Sequence, residues 1–461
     1  MTGQQPSAAD VVKRLRSGFE SGRTRPVDWR KEQLRRIRAL LAEREGELSA
    51  ALAADLGKAT IEGYVTEIAF TRLEVDHALA HLDRWVKPAK VSVPLTQRPG
   101  RARVIPEPLG VVLIIGPWNY PLQLLLAPLV AAIAAGDAAV LKPSELAPAS
   151  SAILARVVGE YLDPDCVAVV EGGVPETSAL LAEHWDHIFY TGNGTVGRVV
   201  MEAAAKHLTP VTLELGGKSP AIVDRHADIR VAAQRIAWGK FVNCGQTCVA
   251  PDYVLVDRDV EAPFLDALTK SVRDFYGRDP RASRDYARIV NDRHFSRLTA
   301  LLDGGGTTVL GGETEATDRY IAPTVLTDVD PDSPIMREEI FGPLLPVLPV
   351  DDVDAAISFV NGRDKPLALY VFSEDDGVVD RVLASTSSGG VTVNGTLLHL
   401  AVPELPFGGV GPSGMGAYHG RAGFDTFSHG KSVLERTTRL DLPVTYPPYS
   451  RWKQRLLRKV L

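Results

Sequence analysis

Between Pro108 and Gly136 the chain carries no charged residue, and few architectures accept such a stretch. A run of that length is enough to cross a bilayer as a helix. The segment "GPWNYP" interrupts it, however, with two prolines, a glycine and an asparagine. Those residues and the pattern downstream favour a buried strand, Val111 to Ile115, then a turn, then a buried helix from about Leu122.

Beyond Gly136 strand-like and helix-like segments alternate. "AAVL" (Ala138 to Leu141) precedes Ser144, a candidate helix cap, and a helix to about Tyr161. "VAVVEG" and "HIFY" (His187 to Tyr190) are two further apolar runs. A helix is expected from about Val196 to His207, then "VTLEL" (Val211 to Leu215). Alternation of this kind predicts a parallel sheet covered by helices. A second α/β series starts near Gly217 with "VEAPFLDALTKSVRDFY", a turn-rich region, "PLALYVFSE" and "GGVTVNG". A domain boundary is placed near Gly216.

Ahead of these series, Leu34, Ile37, Leu41, Leu48 and Leu52 recur at helical spacing among charges, the pattern of an amphipathic surface helix. Val91 to Val104, broken by Pro94 and Pro99, reads as a two-stranded excursion, either an oligomer contact or a plain hairpin. Composition narrows the function. A formal charge of -6 gives no electrostatic case for nucleic acid. Three cysteines make no disulfide framework, which points to a reducing, cytoplasmic setting. "MTGQQPSAADVVKRL" lacks the apolar core of a signal peptide.

Polar or glycine-rich clusters stand just past four predicted strand ends. They are "GPWNYP" with Asn119, "KPSE" with Lys142 and Glu145, "TGNGTVG", and "GGKSP" after the strand Val211 to Leu215 that carries Glu214. Ligands of open parallel sheets bind beyond the carboxyl ends of the strands. "GNGTVG" also fits the spacing of a phosphate-binding turn from Gly192 to Gly197, although it does not come after the first strand. Read as a simple fingerprint, it would assign Glu214 to ribose hydroxyls.

"FVNCGQTCVAP" sets Cys244 and Cys248 four residues apart. No histidine or third cysteine lies near enough to complete a metal site. Two inert packed thiols remain a serious alternative. A nucleophilic thiolate would need nearby backbone N–H groups, which a polar loop entering a helix would offer. Cys166, in "CVAVV", reads as core, and the ten histidines form no recognisable site.

"GPWNYP", "KPSE", "TGNGTVG", "ELGGKSP", "GQTC", "EEIFGP" and "PFGGVGPSGMG" stand in one order. Together they resemble the NAD(P)-dependent aldehyde dehydrogenase superfamily, from about Arg30 to Tyr446. The short N-terminus and the ending "PFGGVGPSGMGAYHGRAGFDTFSHGKSVL" look like its class 3 branch, whose members often take fatty or aromatic aldehydes. The resemblance implies an α/β fold. Residues 1–89 and 109–216 would form a Rossmann-type cofactor domain, and 217–430 a second α/β catalytic domain. A small β oligomerisation arm would comprise 90–108 and 431–446, with a basic tail over 447–461.

The same resemblance assigns roles. Cys248 is the implied nucleophile and Cys244 a neighbour at a variable position. Asn119, with the Cys248 backbone N–H, would hold the oxyanion, and Glu214 would be the general base rather than a ribose ligand. Lys142 and Glu145 would hold the adenosine ribose. Glu339 and Phe341 would position the nicotinamide ribose and ring. Gly192, Asn193 and Gly197 would form the pyrophosphate turn, with Asn193 standing where many relatives carry serine. Trp118 and Tyr120 would wall the pocket. NAD is the implied cofactor, with some use of NADP, the substrate is a small-molecule aldehyde, and the assembly a homodimer. A CoA-acylating enzyme, a non-catalytic scaffold and a cysteine hydrolase are the rival readings. Glu214 argues against the first, the triplet Cys248, Asn119 and Glu214 against the second, and the want of a histidine partner against the third.

The chain ends in "SRWKQRLLRKVL", with Trp452, Leu456, Leu457, Val460 and Leu461 at helical spacing among basic residues. Such a helix suits peripheral contact with an anionic membrane, or docking on the protein itself.

Overall fold

The computed structural model describes residues 7–441 and 443–460; the first six residues, Leu442 and Leu461 of the tail lie outside it. Two sheets organise the chain. The first runs Gly414–Met415, Val211–Glu214, His187–Thr191, Val111–Ile115, Ala138–Lys142, Val167–Val169. All its pairings are parallel except that of Gly414–Met415 with Val211–Glu214. Order reverses between Val111–Ile115 and His187–Thr191, and the crevice of such a sheet opens at that point.

The charge-free stretch lies at the centre of this sheet. Val111–Ile115 is buried on every residue, and the helix Gln123–Ala135 behind it is buried all round. Gly136 ends that helix in the left-handed region, φ 100°, where a residue with a Cβ is disfavoured. Its start is met by the buried Glu67 carboxylate, which accepts the N–H groups of Leu122 (2.8 Å) and Gln123 (3.3 Å). Among the described residues no helix is long and apolar enough to cross a membrane.

The second sheet runs Thr307–Leu310, Thr324–Thr327, Leu344–Val350, Tyr253–Asp257, Pro220–Val223, Ala368–Phe372, Gly390–Val393. Gly216 and Gly217 lie between the last long strand of the first sheet and Pro220–Val223 of the second. A third sheet of three antiparallel strands, Ala89–Val91, Gly100–Pro108 and Ser428–Arg436, stands apart, with most of its side chains exposed.

Several expectations are corrected. The expected amphipathic helix buries its apolar positions as its pattern implies, but it is two helices, Val27–Glu43 and Glu45–Leu56. Ser144 does not cap the helix Pro148–Tyr161; its hydroxyl accepts the Leu146 N–H in the turn before. The excursion is three-stranded, because Ser428–Arg436 returns to pair with Gly100–Pro108, beginning ahead of the expected 431. Gly414–Met415, expected in the second domain, hydrogen-bonds to Leu213 and Glu214 of the first sheet.

Candidate active site

The parallel register carries four sequence clusters to one edge. Ile115 pairs with both Lys142 and Tyr190, and Thr191 pairs with Glu214. Two backbone bonds tie the clusters together, Gly116 N–H to Lys142 O (3.1 Å) and Gly192 N–H to Glu214 O (3.0 Å).

Glu214 is buried, and neither carboxylate oxygen has a hydrogen-bond partner among the described residues. Burial therefore holds its pKa well above the ordinary carboxylate range. Glu339, in the loop ahead of the strand Leu344–Val350 of the second sheet, reaches the same junction at Gly216. Its Oε1 is likewise without a partner among them, and a Cβ on Gly216 would collide with its carboxylate. Burial first, and the neighbouring Asp252 second, push Glu339 up to about 8. Lys218 anchors this region by bonding Asp252 and the carbonyls of Ile335 (2.8 Å) and Glu338 (2.9 Å). The junction opens onto a cavity of about 410 Å³ that Gly216, Gly217 and Glu339 help to line.

The cysteines separate here. Cys244 is fully buried, with its Sγ 3.4 Å from the Tyr286 hydroxyl. Cys248 is half-buried. Burial raises both thiols to about 12, but the next contributions to Cys248 come from the charges of Glu339 and Glu214, while its own N–H and that of Val249 oppose the rise. The expected entry into a helix is not found. The loop leaves the helix Ile229–Phe241 and ends in the strand Tyr253–Asp257, so the N–H groups at the sulfur belong to a turn.

Asn119 is buried, and its Nδ2 donates to Gln246 O (3.0 Å). Its backbone carbonyl accepts from Lys58 Nζ (2.8 Å) and Asn243 Nδ2 (2.9 Å). An amide NH2 carries two protons, so one remains to donate elsewhere. Tyr120 meets the nucleophile loop through its hydroxyl, 2.7 Å from Thr247 Oγ1. Trp118 lies edge-on to Phe341 at 5.4 Å and beside His294 at 5.2 Å, so residues remote in sequence form one aromatic wall.

At the outer end of the crevice Lys142 is buried and donates to Pro143 O (2.6 Å), with the exposed Glu145 at 4.0 Å. Asn193 caps the helix Gly194–Ala205 by accepting the Val196 N–H at 3.0 Å, so its side chain is already used. Gly192 is needed for a local reason as well, since a Cβ there would strike the Tyr190 hydroxyl. A Cβ on Gly197 would press on Leu215 at 3.1 Å, so this glycine sets close helix–strand packing.

Sequence reasoning missed Lys58, Glu67, Asn243 and Arg297. Arg297 donates to the carbonyls of Ile340 (2.5 Å) and Glu339 (3.4 Å), which fixes the loop carrying Glu339 and Phe341. Asn243 sits inside the quoted cysteine loop and was within reach of motif reading. Lys58 and Glu67 offered no signal.

A dinucleotide fits this crevice. The Glu339 oxygen that has no partner among the described residues and the basic Lys142 beside Glu145 stand at its two ends, with a helix N-terminus at Gly194 between them. No cluster of three metal-ligating side chains occurs among the described residues.

Comparison with known proteins agrees. The family model described as "Aldehyde dehydrogenase family" matches residues 2–433. "Aldehyde dehydrogenase family 3 member A2" of Mus musculus is 52% identical over 444 residues, covering 96% of this chain and 92% of that protein. "Aldehyde dehydrogenase, dimeric NADP-preferring" of Rattus norvegicus is 51% identical over 431 residues, covering 94% and 95%. The solved structure "Substrate bound state of Staphylococcus Aureus AldH" superposes with a TM-score of 0.96 at 45% identity, covering 99% of each chain. The chain belongs to the aldehyde dehydrogenase family. It is an NAD(P)-dependent oxidoreductase of aldehydes.

Proposed function

We propose that the chain oxidises aldehydes, medium or long aliphatic or aromatic ones, to carboxylic acids through a thioester on Cys248. The observation that carries this reading is that Cys248, half-buried, feels the charges of Glu339 and Glu214, two carboxylates with oxygens that lack partners among the described residues, while Asn119 bonds its own loop at Gln246 O and keeps an N–H to spare. Cys248 Sγ attacks the carbonyl carbon. The oxygen that becomes an alkoxide is held by Asn119 Nδ2 and the Cys248 N–H, each such donor worth roughly 3–4 kcal/mol of barrier. When bound, NAD(P)+ supplies the hydride acceptor and a positive charge that favours the Cys248 thiolate. Lys142 and Glu145 hold the adenosine ribose, the turn Gly192, Asn193 and Gly197 supports the phosphates, and Glu339, Phe341 and Trp118 hold the nicotinamide end.

Glu214 takes a proton from the water that cleaves the thioester. Burial, which raises its carboxyl, makes it a stronger base than an ordinary carboxylate. The test is a panel of aliphatic and aromatic aldehydes assayed with NAD and NADP, without and with coenzyme A. Cys248→Ala is expected to form no NADH. An absolute need for coenzyme A would replace this reading with acyl transfer to that thiol.

The assembly we propose is a homodimer. Most side chains of the three-stranded arm are exposed, and such a sheet is marginal alone; Val91, Leu95 and Leu434 are exposed on it, and Ser428–Arg436 presents an edge that no described strand pairs. We place the enzyme in the cytoplasm with its C-terminal helix on a membrane surface. The helix Arg451–Val460 exposes Trp452 and Leu456, and its bonds from Lys453 and Gln454 run back to Tyr446, Tyr449 and Ser450. Removing 450–461 should abolish sedimentation with phosphatidylserine vesicles; unchanged binding would refute membrane contact.

A further inference from the structure

The nucleophile loop contains a backbone feature that the proposed chemistry does not use. Asn243 (φ 52°, ψ 30°) and Cys244 (φ 54°, ψ 34°) are both left-handed, and Gly245 comes next at φ 72°. Two consecutive residues with a Cβ rarely adopt this conformation. It persists only where surrounding contacts over-determine it, and here the contacts are identifiable. Asn243 Nδ2 donates to Asn119 O and to Gln246 O, at 2.9 and 3.0 Å. Gln246 Nε2 donates to Asn243 O and to Arg288 O, each at 3.0 Å, and its Oε1 accepts the Val290 N–H at 3.0 Å. The Asn243 N–H is taken by Glu62 Oε1 at 3.0 Å.

Glu62 is the one ionisable side chain among these partners. It stands on the short helix Thr60–Gly63, directly before the π-helical turn Tyr64–Ala69. The same segment holds the oxyanion side of the site, since Lys58 donates to Asn119 O and pairs with Glu67 at 2.5 Å in a fully buried contact. Asn119 and the turn before Cys248 are therefore held from one short stretch of chain.

We infer that Glu62 is a positioning residue for the reaction: by holding the Asn243 N–H it fixes the left-handed turn, and through that turn it sets Asn119 and Cys248 relative to each other. The inference rests on the roles proposed above for Asn119 and Cys248. It also gives the site a proton-sensitive support. Burial raises Glu62 to about 7; Lys58 and the Asn243 N–H oppose the rise, and Glu67 and Asp285 add to it. Tyr120, Tyr276 and Cys244 also face it, all with their pKa values raised by burial. Above pH 7 the ionised carboxylate is the stronger acceptor, so the turn is held most firmly there and loosens as pH falls.

The experiment compares the wild-type enzyme with Glu62→Ala and Glu62→Gln. It measures the rate of Cys248 alkylation by iodoacetamide, located by mass spectrometry, the single-turnover NADH burst, the KM for aldehyde, and Tm. Glu62→Ala should slow burst and alkylation by between about tenfold and a hundredfold, as expected for a misplaced reacting group, with KM little changed. Glu62→Gln, which still accepts the N–H, should recover most of the rate above pH 7 but lose the wild-type inflection near that pH. Wild-type burst and alkylation rates in Glu62→Ala would overturn the inference. So would an inflection that survives in Glu62→Gln, and this second result decides the matter if the alanine variant unfolds. A wild-type enzyme with neither burst nor Cys248 labelling would instead refute the nucleophile assignment and carry this inference down with it.

Discussion

The junction of the two large sheets and the arm with its tail are unsatisfied in opposite senses. At the junction, polar atoms are buried without partners among the described residues: both oxygens of Glu214 and Oε1 of Glu339. On the arm and tail, apolar side chains stand in the open: Val91, Leu95, Leu434, Trp452 and Leu456. A buried polar atom without a partner costs roughly 1–3 kcal/mol, and exposed apolar surface forgoes about 25 cal/mol per Å². Each region is thus kept at a cost to the isolated chain, and each describes by its chemistry what it lacks. The inner one calls for small polar molecules, the outer one for a large apolar surface.

The largest expected effect tests the inner half of that contrast. Glu214→Gln keeps the shape but cannot accept a proton from water. Turnover should fall by about 10²- to 10⁴-fold, while the first burst of NADH survives and an acyl group stays on Cys248, detectable as added mass. Turnover at the wild-type rate would remove Glu214 from the role of base.

The same substitution should act on stability. A carboxyl whose folded pKa lies above its unfolded value binds more protons folded than unfolded, so it costs stability as pH rises past the unfolded value, about 4.3. Glu214 is such a group. Glutamine removes that cost. The ligand-free variant should melt higher than wild type at pH 8, at roughly 1 °C per kcal/mol for a chain of this length, and the gap should close toward pH 4. A gap independent of pH would show that burial does not raise the Glu214 carboxyl.

On the outer half, Leu434→Glu places a charge on the exposed strand of the arm. If this sheet is completed by a second copy, the dimer should dissociate at protein concentrations about ten to a hundred times higher than wild type, a change of roughly 1–3 kcal/mol. Sedimentation equilibrium would measure it. An unaltered association constant would separate the arm from oligomerisation.

The contrast also explains what the sequence could convey. Val111–Ile115 was legible because it is buried on every residue and apolar along its whole length, and His187–Thr191, equally buried, because its centre Ile188–Tyr190 is an aromatic and aliphatic run. The four clusters past the strand ends were legible because each is local. Gly414–Met415 was not, since two residues carry no periodicity. The helix break at Arg44 was hidden because the apolar spacing continues across it. The supports of the site were invisible for a different reason. Glu62 reaches Asn243, and Lys58 reaches Asn119, across long separations that only the fold closes. Motifs name the reacting groups; what holds those groups in place comes from tertiary contact.

The smallest effect concerns the outer mouth of the crevice, where the two regimes meet. Glu145 is exposed, and Lys142 beside it is buried with a pKa that burial lowers against the pull of Glu145 and its acidic neighbours. A carboxylate at this place suits ribose hydroxyls and repels a 2′-phosphate. Glu145→Ala removes the repulsion and leaves Lys142 to attract the phosphate. Screening by solvent limits an exposed charge to about 1 kcal/mol, so the ratio of kcat/KM for NADP over NAD should rise by no more than about tenfold. Added salt should narrow the difference between variant and wild type, because the effect is electrostatic and open to solvent. A ratio that stays unchanged at low salt would mean that the adenosine ribose is held elsewhere than at Lys142 and Glu145.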